Sequence, residues 1–130
     1  MQLKELKCQV QDWLKQGIVR PSKSPWCTPI VFVKKLDQTT RICLDFRALN
    51  NVIESDGYPL PRISKVLEKL GGKRIFSTLD ANNAYQCISM DLDSRELTAF
   101  STPLGHFEFL RMPFGLKPAV ADIVDWQRKH

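Results

Sequence analysis

The sequence lacks the features that mark membrane and secreted proteins. Its 130 residues contain no apolar run of the roughly 18 residues that a membrane-spanning helix needs. The first residues, Met1 to Glu5, lack the apolar core of a secretory signal peptide. These absences predict an intracellular protein, in the cytoplasm or the nucleus, with no membrane partner.

Residues that bind zinc or form disulfides are few and widely separated. The four cysteines, at positions 8, 27, 43 and 87, form no Cys-x-x-Cys pair, and the two histidines are His106 and His130. A structural zinc site needs four closely spaced ligands, and disulfide frameworks belong to oxidising compartments. The sequence therefore predicts neither, and free, partly buried thiols are the simpler interpretation.

The composition is that of a folded domain with a mild excess of positive charge. Hydrophobic residues make up 43% and charged residues 25% of the chain, which excludes a disordered or fibrous protein. Nineteen Lys and Arg against 14 Asp and Glu leave a net charge of +5, which suits a polyanionic partner without requiring one. The length fits one whole domain or a large part of a larger one.

Three segments have helical patterns. Apolar residues at helical spacing predict an amphipathic helix over residues 2–16, which Gly17 ends. A second helix is predicted between Pro61 and the pair Gly71-Gly72. A third is expected over residues 119–128, behind Pro118.

The remaining ordered segments have the pattern of short strands. β-rich runs occur at residues 29–36, 41–46, 74–79, 86–91, 98–102 and 106–110, with a further short element at 95–99. Residues 37–40 form a polar turn between the first two runs, and Pro103-Leu104-Gly105 connects the last two, so two β-hairpins are predicted. Because helices and hairpins alternate without a βαβ rhythm, the predicted fold class is α+β.

Asp80 is the first candidate for chemistry on physical grounds. It follows the apolar run at residues 74–79, and a carboxylate at a strand end can hold a divalent metal or act as a general base. The alternative is that Asp80 caps a turn through Asn82 and Asn83. One aspartate cannot by itself supply a two-metal centre.

Two further features permit more than one interpretation. Lys34 and Arg41 bracket the first hairpin turn and can converge on a phosphate, although charged hairpin tips are usually just solvated. Tyr85 is either a core aromatic residue or a platform for a ligand ring. Periodicity does not decide between these readings.

An ordered series of blocks carries a family resemblance. The blocks are Gly17-Ile18-Val19-Arg20-Pro21-Ser22, Ser24-Pro25-Trp26, Val33-Lys34-Lys35, Asp45-Phe46-Arg47-Ala48-Leu49-Asn50, Tyr58-Pro59-Leu60-Pro61-Arg62-Ile63, Phe76-Ser77-Thr78-Leu79-Asp80 and Phe109-Leu110-Arg111-Met112-Pro113-Phe114-Gly115-Leu116-Lys117. In order and spacing they resemble the reverse transcriptase of gypsy-type LTR retrotransposons and their retroviral relatives, over about residues 3–117.

The resemblance implies a fold and a set of partners. The fold is α+β, the fingers and first part of the palm of a right-hand polymerase, with an incomplete antiparallel sheet. About 1–56 and 88–117 are expected to be fingers-like, and about 57–87 and 118–130 palm-like. The family's partners are an RNA or DNA template-primer and deoxynucleoside triphosphates, its metal is Mg²⁺ or Mn²⁺, and its polyproteins enter virus-like particles.

The resemblance also assigns roles around the nucleotide. Lys34 and Arg41 match the residues that grip the incoming triphosphate. Asp80 matches the first metal-binding, catalytic aspartate, and Ala81 lies where a backbone carbonyl joins that metal. Tyr85 matches the aromatic gate that packs under the sugar and excludes a 2′-hydroxyl by steric contact.

The remaining assignments concern the nucleotide and template path. Phe114 and Gly115 match a block beside the nucleotide, and Pro113 belongs to the same block beside the template. Asp45 and Arg47 match fingers residues that help to shape the template path. These roles follow from the resemblance alone.

The sequence also departs from the family pattern. After Lys117 the family usually continues Asn-Ala-Pro-Ala-Thr-Phe-Gln, whereas this sequence reads Pro118-Ala119-Val120-Ala121-Asp122-Ile123-Val124. The family's second metal site, a Tyr-x-Asp-Asp turn, is absent, since no two acidic residues are adjacent. We therefore expect that these 130 residues alone do not polymerise DNA. A non-catalytic nucleic-acid-binding remnant and an inactive, degenerate element remain alternatives.

Overall fold

A computed structural model describes residues 2–54 and 61–117. Its helices are α1 (Gln2–Lys15), α2 (Arg47–Val52) and α3 (Ile63–Leu70), with 3-10 helices at Ala84–Cys87 and Arg95–Thr98. Its strands are β1 (Val19–Pro21), β2 (Ile30–Lys34), β3 (Thr40–Leu44), β4 (Phe100–Thr102) and β5 (Gly105–Phe109). The elements confirm the predicted α+β class.

The strands form two antiparallel sheets. The larger has the order β1-β5-β4, with Val19 opposite Phe109 and Phe100 opposite Phe107. The smaller is the β2–β3 hairpin, in which Lys34 lies opposite Thr40. A backbone hydrogen bond joins the segments that lead into the two sheets: the Thr28 N–H, shortly before β2, donates to the Ala99 carbonyl, just before β4, at 2.7 Å.

The core lies between α1 and the three-stranded sheet. The α1 helix buries Leu6 and Val10, one turn apart on a single face. Its Trp13 ring meets Phe100 and Phe109 edge-on, with ring centroids 6.1 and 5.4 Å apart. Phe100 is fully buried, and burying a phenylalanine side chain contributes about 1.5–3 kcal/mol. This aromatic cluster fixes α1 against the sheet.

Local sequence patterns predicted much of this architecture. The helix predicted over residues 2–16 is α1, and the helix predicted before Gly71-Gly72 is α3. Both hairpins are confirmed, and the second closes tightly, with Thr102 paired to Gly105. The helix predicted over residues 119–128 lies outside the described residues.

The strand predicted over residues 74–79 is wrong. Residues 73–81 have no regular secondary structure, and Ile75 and Leu79 are 91% and 95% exposed. A strand needs a neighbour for its backbone N–H and C=O groups, and no described strand pairs with this segment. Its apolar composition therefore did not produce a strand in this part of the molecule.

The strand predicted over residues 86–91 is also wrong. Its first two residues belong to the 3-10 helix Ala84–Cys87. This helix follows Asn83, which has φ 51°, a left-handed conformation that asparagine tolerates. The rest of the segment forms an isolated bridge between Ser89 and Arg111 and no extended ladder.

Two helices differ from expectation in other ways. The short α2 helix was not predicted, since its six residues carry little apolar periodicity. The α3 helix is present as predicted, but every one of its residues is exposed, including Ile63 and Leu67. Among residues 2–54 and 61–117, no helix combines the length and apolar character that crossing a membrane requires.

Candidate functional site

A cleft of about 260 Å³ opens between α1, β3 and the chain on either side of β5. Its wall includes residues from α1 (Trp13), from β3 (Ile42) and from the end of β5 (Phe109). Four of the residues singled out in the sequence also line it: Arg41, Tyr85, Pro113 and Phe114. Segments far apart in sequence therefore meet at one concave surface.

Phe114 contacts two of these residues, Arg41 and Tyr85. The Cζ atom of Arg41 lies 5.0 Å from the centre of the Phe114 ring, which is a cation–π contact. The Tyr85 ring meets Phe114 edge-on, with centroids 5.5 Å apart and an interplanar angle of 86°. Phe114 is 59% exposed, so its ring forms part of the open surface of the cleft.

Backbone hydrogen bonds bring Tyr85 to Phe114. The Met112 N–H donates to the Ile88 carbonyl, and the Met90 N–H donates to the Leu110 carbonyl, both at 2.9 Å. These bonds join the chain just after Tyr85 to the chain just before Phe114. The two rings therefore meet because their backbones are paired.

Asn50 holds the loop that follows Phe114. Its Nδ2 atom donates to the Gly115 carbonyl at 2.9 Å, and its Oδ1 atom accepts from the Lys117 N–H at 2.8 Å. Gly115 has φ +96°, a conformation that a residue with a side chain rarely adopts. Asn50 belongs to one of the family blocks, but this role was not predicted from the sequence because its partners lie 65 and 67 residues away.

Asp45 and Arg47 form a close ion pair at the start of α2. The Arg47 Nη2 atom donates to one carboxylate oxygen at 2.6 Å, and Nε donates to the other at 2.8 Å. Hydrogen bonds from the Arg47 side chain, and then from its backbone N–H, lower the pKa of Asp45 from its ordinary value. The Arg47 side chain remains 88% exposed, and neither residue lines the cleft.

Lys34 lies near Arg41 in the hairpin but outside the cleft lining. Lys34 is opposite Thr40, and Arg41 is opposite Val33, so the two cations occupy neighbouring cross-strand pairs. Side chains of successive residues in a strand leave opposite faces. Lys34 and Arg41 therefore start from opposite faces of the hairpin, and both are exposed.

Asp80 and Ala81 lie in or beside the exposed, irregular segment. The Asp80 carboxylate forms no ion pair and no side-chain hydrogen bond with another described residue, so the turn-capping alternative through Asn82 and Asn83 finds no support there. Within the described ranges, no group of three or more His, Cys, Asp or Glu residues could hold a metal ion. These residues therefore do not complete the donor set of a two-metal centre.

Comparisons with known proteins agree with the resemblance of the sequence blocks. Residues 33–122 match the family profile described as reverse transcriptase (RNA-dependent DNA polymerase). The chain is 42% identical over 122 residues to the retrovirus-related Pol polyprotein from transposon 297 of Drosophila melanogaster. It is 40% identical over 117 residues to the Pol polyprotein from transposon gypsy of the same organism.

The matched regions are most of this chain and a small part of its relatives. The alignments cover 90% and 85% of this chain, and the chain spans 12% and 11% of the two polyproteins. The fold is similar to that of the foamy viral protease-reverse transcriptase in complex with an RNA/DNA hybrid, with a TM-score of 0.76 and 24% identity. That match covers 98% of this chain and 18% of the viral one. The chain belongs to the reverse transcriptase family, and its relatives are the Pol polyproteins of gypsy-type retrotransposons.

Proposed function

We propose that the cleft binds the incoming deoxynucleoside triphosphate of an RNA-directed DNA polymerase. The observation that carries this proposal is the meeting of Arg41, Tyr85 and Phe114 at one open surface. A guanidinium suits a triphosphate, and an aromatic ring suits the flat faces of a sugar and base. Family membership supports the same substrate.

Arg41 is the triphosphate-binding group in this proposal. Its Cζ atom lies over the Phe114 ring at 5.0 Å from the centre, and a cation–π contact does not use the N–H donors that a phosphate would accept from. No described carboxylate forms an ion pair with it. Arg41 is therefore free to exchange water for a phosphate. Lys34 starts from the opposite face of the hairpin and lies outside the cleft lining, so its charge is proposed to contribute to the attraction of the anion over distance.

Tyr85 is the sugar-sensing group. Its ring is partly buried, and its contact with Phe114 restricts rotation away from the cleft. A ring fixed in this way excludes a 2′-hydroxyl by occupying its volume, so discrimination does not depend on the phenolic hydroxyl. Gly115 does not itself line the cleft, and its hydrogen bond from Asn50 fixes the loop that follows Phe114.

Asp80 and the Ala81 carbonyl are the proposed ligands of one Mg²⁺ or Mn²⁺ ion, which would neutralise charge on the triphosphate. The described residues supply this single carboxylate and no completed metal centre. Nucleotide binding is therefore the function proposed for these residues. Primer extension by these 130 residues alone is not expected.

Asp45, Arg47 and Pro113 are proposed to border the template path. The Asp45 ion pair fixes the direction of the Arg47 side chain, which is 88% exposed at the start of α2. An exposed arginine held in this way can contact a phosphate of a template strand without a large loss of side-chain freedom. The similar foamy viral protein was determined with an RNA/DNA hybrid, which supports a template-primer as partner.

Nucleotide binding is tested by titrating the purified chain with dATP. Replacing Arg41 with alanine should raise the Kd about tenfold or more, because a hydrogen bond to a charged group contributes about 1.5–3 kcal/mol. Arg62→Ala is the matched control, since Arg62 is exposed and does not line the cleft. Equal affinities for the two variants would contradict the proposal.

Sugar discrimination is tested by comparing dATP with ATP. Tyr85→Ala should raise the affinity for ATP relative to dATP, because it removes the volume that a 2′-hydroxyl would meet. Tyr85→Phe should keep the preference for dATP, because the ring is retained. A loss of preference in Tyr85→Phe would show that the hydroxyl, not the ring, is responsible.

A second candidate is a non-catalytic nucleic-acid-binding domain. The exposed pair Lys34-Lys35 beside Arg41, on a chain of net charge +5, favours it. This function predicts binding of single-stranded RNA or DNA that falls steeply with salt and is lost when Lys34 and Arg41 are neutralised. Such binding without any affinity for dATP would favour this candidate over the first.

A further inference from the structure

Hydrogen bonds hold the chain on both sides of Phe114. Its ring is 59% exposed, yet the chain before it is paired to the chain after Tyr85 through the Met112 N–H. The chain after it is held by the two hydrogen bonds of Asn50. Both sides of the residue are therefore fixed, although its side chain contributes little to the core.

The ring makes two contacts of different kinds. Its face meets the guanidinium of Arg41, with Cζ 5.0 Å from the ring centre. Its second contact is the edge-on meeting with Tyr85, at 5.5 Å between centroids. Arg41 comes from β3 and Tyr85 from the 3-10 helix Ala84–Cys87, so Phe114 joins two elements that carry different parts of the proposed site.

The first contact depends on the electronic character of the ring. A cation is attracted to the negative face of an aromatic quadrupole, and an aliphatic side chain of similar size offers no such attraction. At exposed sites the attraction is enough to change a binding equilibrium about two- to fivefold. A leucine at position 114 would thus retain apolar contact and lose the orientation of Arg41.

We infer that Phe114 is a positioning residue that couples triphosphate recognition to sugar recognition. Through its cation–π contact it holds the Arg41 guanidinium at the cleft, and by contacting Tyr85 it holds the sugar-sensing ring in place. This inference rests on the proposed nucleotide-binding function. Loss of the aromatic ring should therefore weaken both effects together, although Phe114 itself need not touch the phosphate.

The test compares Phe114→Leu with Phe114→Trp, which keeps an aromatic face. Phe76→Leu is the matched control, because Phe76 is 60% exposed and lies outside the cleft lining. Two quantities are measured: the NMR shift of the Arg41 side-chain protons without nucleotide, and the Kd values for dATP and ATP. The shift reports stacking, since protons above a ring face are displaced upfield.

Phe114→Leu should abolish the upfield shift of Arg41 and raise the Kd for dATP about two- to fivefold. It should also lower the preference for dATP over ATP, while Phe114→Trp and Phe76→Leu retain wild-type behaviour. In an Arg41→Ala background, Phe114→Leu should have little further effect on dATP affinity, because the group that it orients is absent.

Failure of the positioning role of Phe114 and failure of the proposed nucleotide-binding function give different results. If wild type binds dATP and Arg41→Ala weakens binding, but Phe114→Leu matches wild type, the positioning role is wrong and the proposed function stands. If wild type does not bind dATP, the proposed function is wrong, and the NMR shift of Arg41 then tests only the contact between Arg41 and the Phe114 ring. An upfield shift that persists in Phe114→Leu would overturn the inference in either case.

Discussion

Removing the Asn50 side chain should release the loop that carries Phe114 and Gly115. Asn50 donates to the Gly115 carbonyl at 2.9 Å and accepts from the Lys117 N–H at 2.8 Å. It therefore joins α2 to the loop after β5 through both ends of one amide group. Asn50→Ala removes both bonds at once and leaves the helix otherwise intact.

The expected loss of stability follows from the two bonds. An intramolecular hydrogen bond contributes about 0.5–1.5 kcal/mol net, and exposed partners regain water when the bond is lost. Both bonds are exposed, so the loss in the free energy of unfolding should be about 1–2 kcal/mol. Asn50→Asp should lose part of this, because it keeps the acceptor for Lys117 but turns an oxygen toward the Gly115 carbonyl.

Asn51→Ala provides the matched control. Asn51 is exposed in the same helix, and alanine is the better helix former by up to about 0.7 kcal/mol at either position. The difference between the two alanine variants therefore isolates the hydrogen bonds from helix propensity. Urea denaturation gives the free energies, and hydrogen exchange at the Lys117 amide reports the second bond directly.

Unfolding of Asn50→Ala and Asn51→Ala at the same urea concentration would contradict a stabilising role of the Asn50 side chain. Equal exchange rates of the Lys117 amide in both variants would also contradict it, since that amide should lose its protection only when Asn50 is replaced. A lower stability accompanied by unchanged dATP binding would limit the role of Asn50 to folding.

Three further predictions concern the core, the loop and pH. Phe100→Leu should lower the free energy of unfolding by about 1–3 kcal/mol, since Phe100 is fully buried, whereas the exposed control Phe76→Leu should change it by under about 0.5 kcal/mol. Gly115→Ala should lower the free energy of unfolding by about 1–2 kcal/mol, because Gly115 has a φ of +96°. A Cβ there would meet only Phe46, at an ordinary 3.9 Å, so the cost comes from the backbone conformation and not from a clash. An unchanged melting temperature would contradict this. The pKa of Asp45 is lowered by its hydrogen bonds to Arg47, so its contribution to stability is complete above about pH 4 and is lost as the pH falls further. The Tm difference between wild type and Asp45→Asn should accordingly shrink below pH 4, and growth of that difference would contradict the ion pair's role.

Short-range patterns were sufficient for α1 and the two hairpins. The α1 helix carries its own signal, because Leu6 and Val10 recur on one face and the core receives that face. The hairpins were predictable because each turn is short and lies between two β-rich runs. These elements depend on contacts between near neighbours in sequence.

Strand formation could not be predicted in the same way. Residues 74–79 have a β-rich composition, but a strand is defined by a partner, and the described residues provide none. In the segment from 86 to 91, the first two residues belong to the 3-10 helix Ala84–Cys87, which periodicity did not indicate. Pairing and turn geometry therefore overrode composition at both places.

Four of the candidate residues, Arg41, Tyr85, Pro113 and Phe114, meet at the cleft, and the sequence did not predict this arrangement. The family blocks identified Arg41, Tyr85 and Phe114 separately, on the basis of resemblance. Their contact through the Phe114 ring depends on backbone pairing between residues 88–90 and 110–112, which no local pattern shows. Asn50 was missed for the same reason, since its function lies in distant partners.

NMR mapping of dATP on the isotope-labelled chain tests directly whether the cleft binds a nucleotide. Nucleotide binding in the cleft predicts saturable shift changes at Arg41, Tyr85 and Phe114, with Arg62 and the hairpin turn at residues 103–104 unaffected. The changes at Arg41 should be larger with dATP than with deoxyadenosine, which lacks the triphosphate. Saturable changes confined to other surfaces, or none at all, would contradict the assignment of this cleft to nucleotide binding.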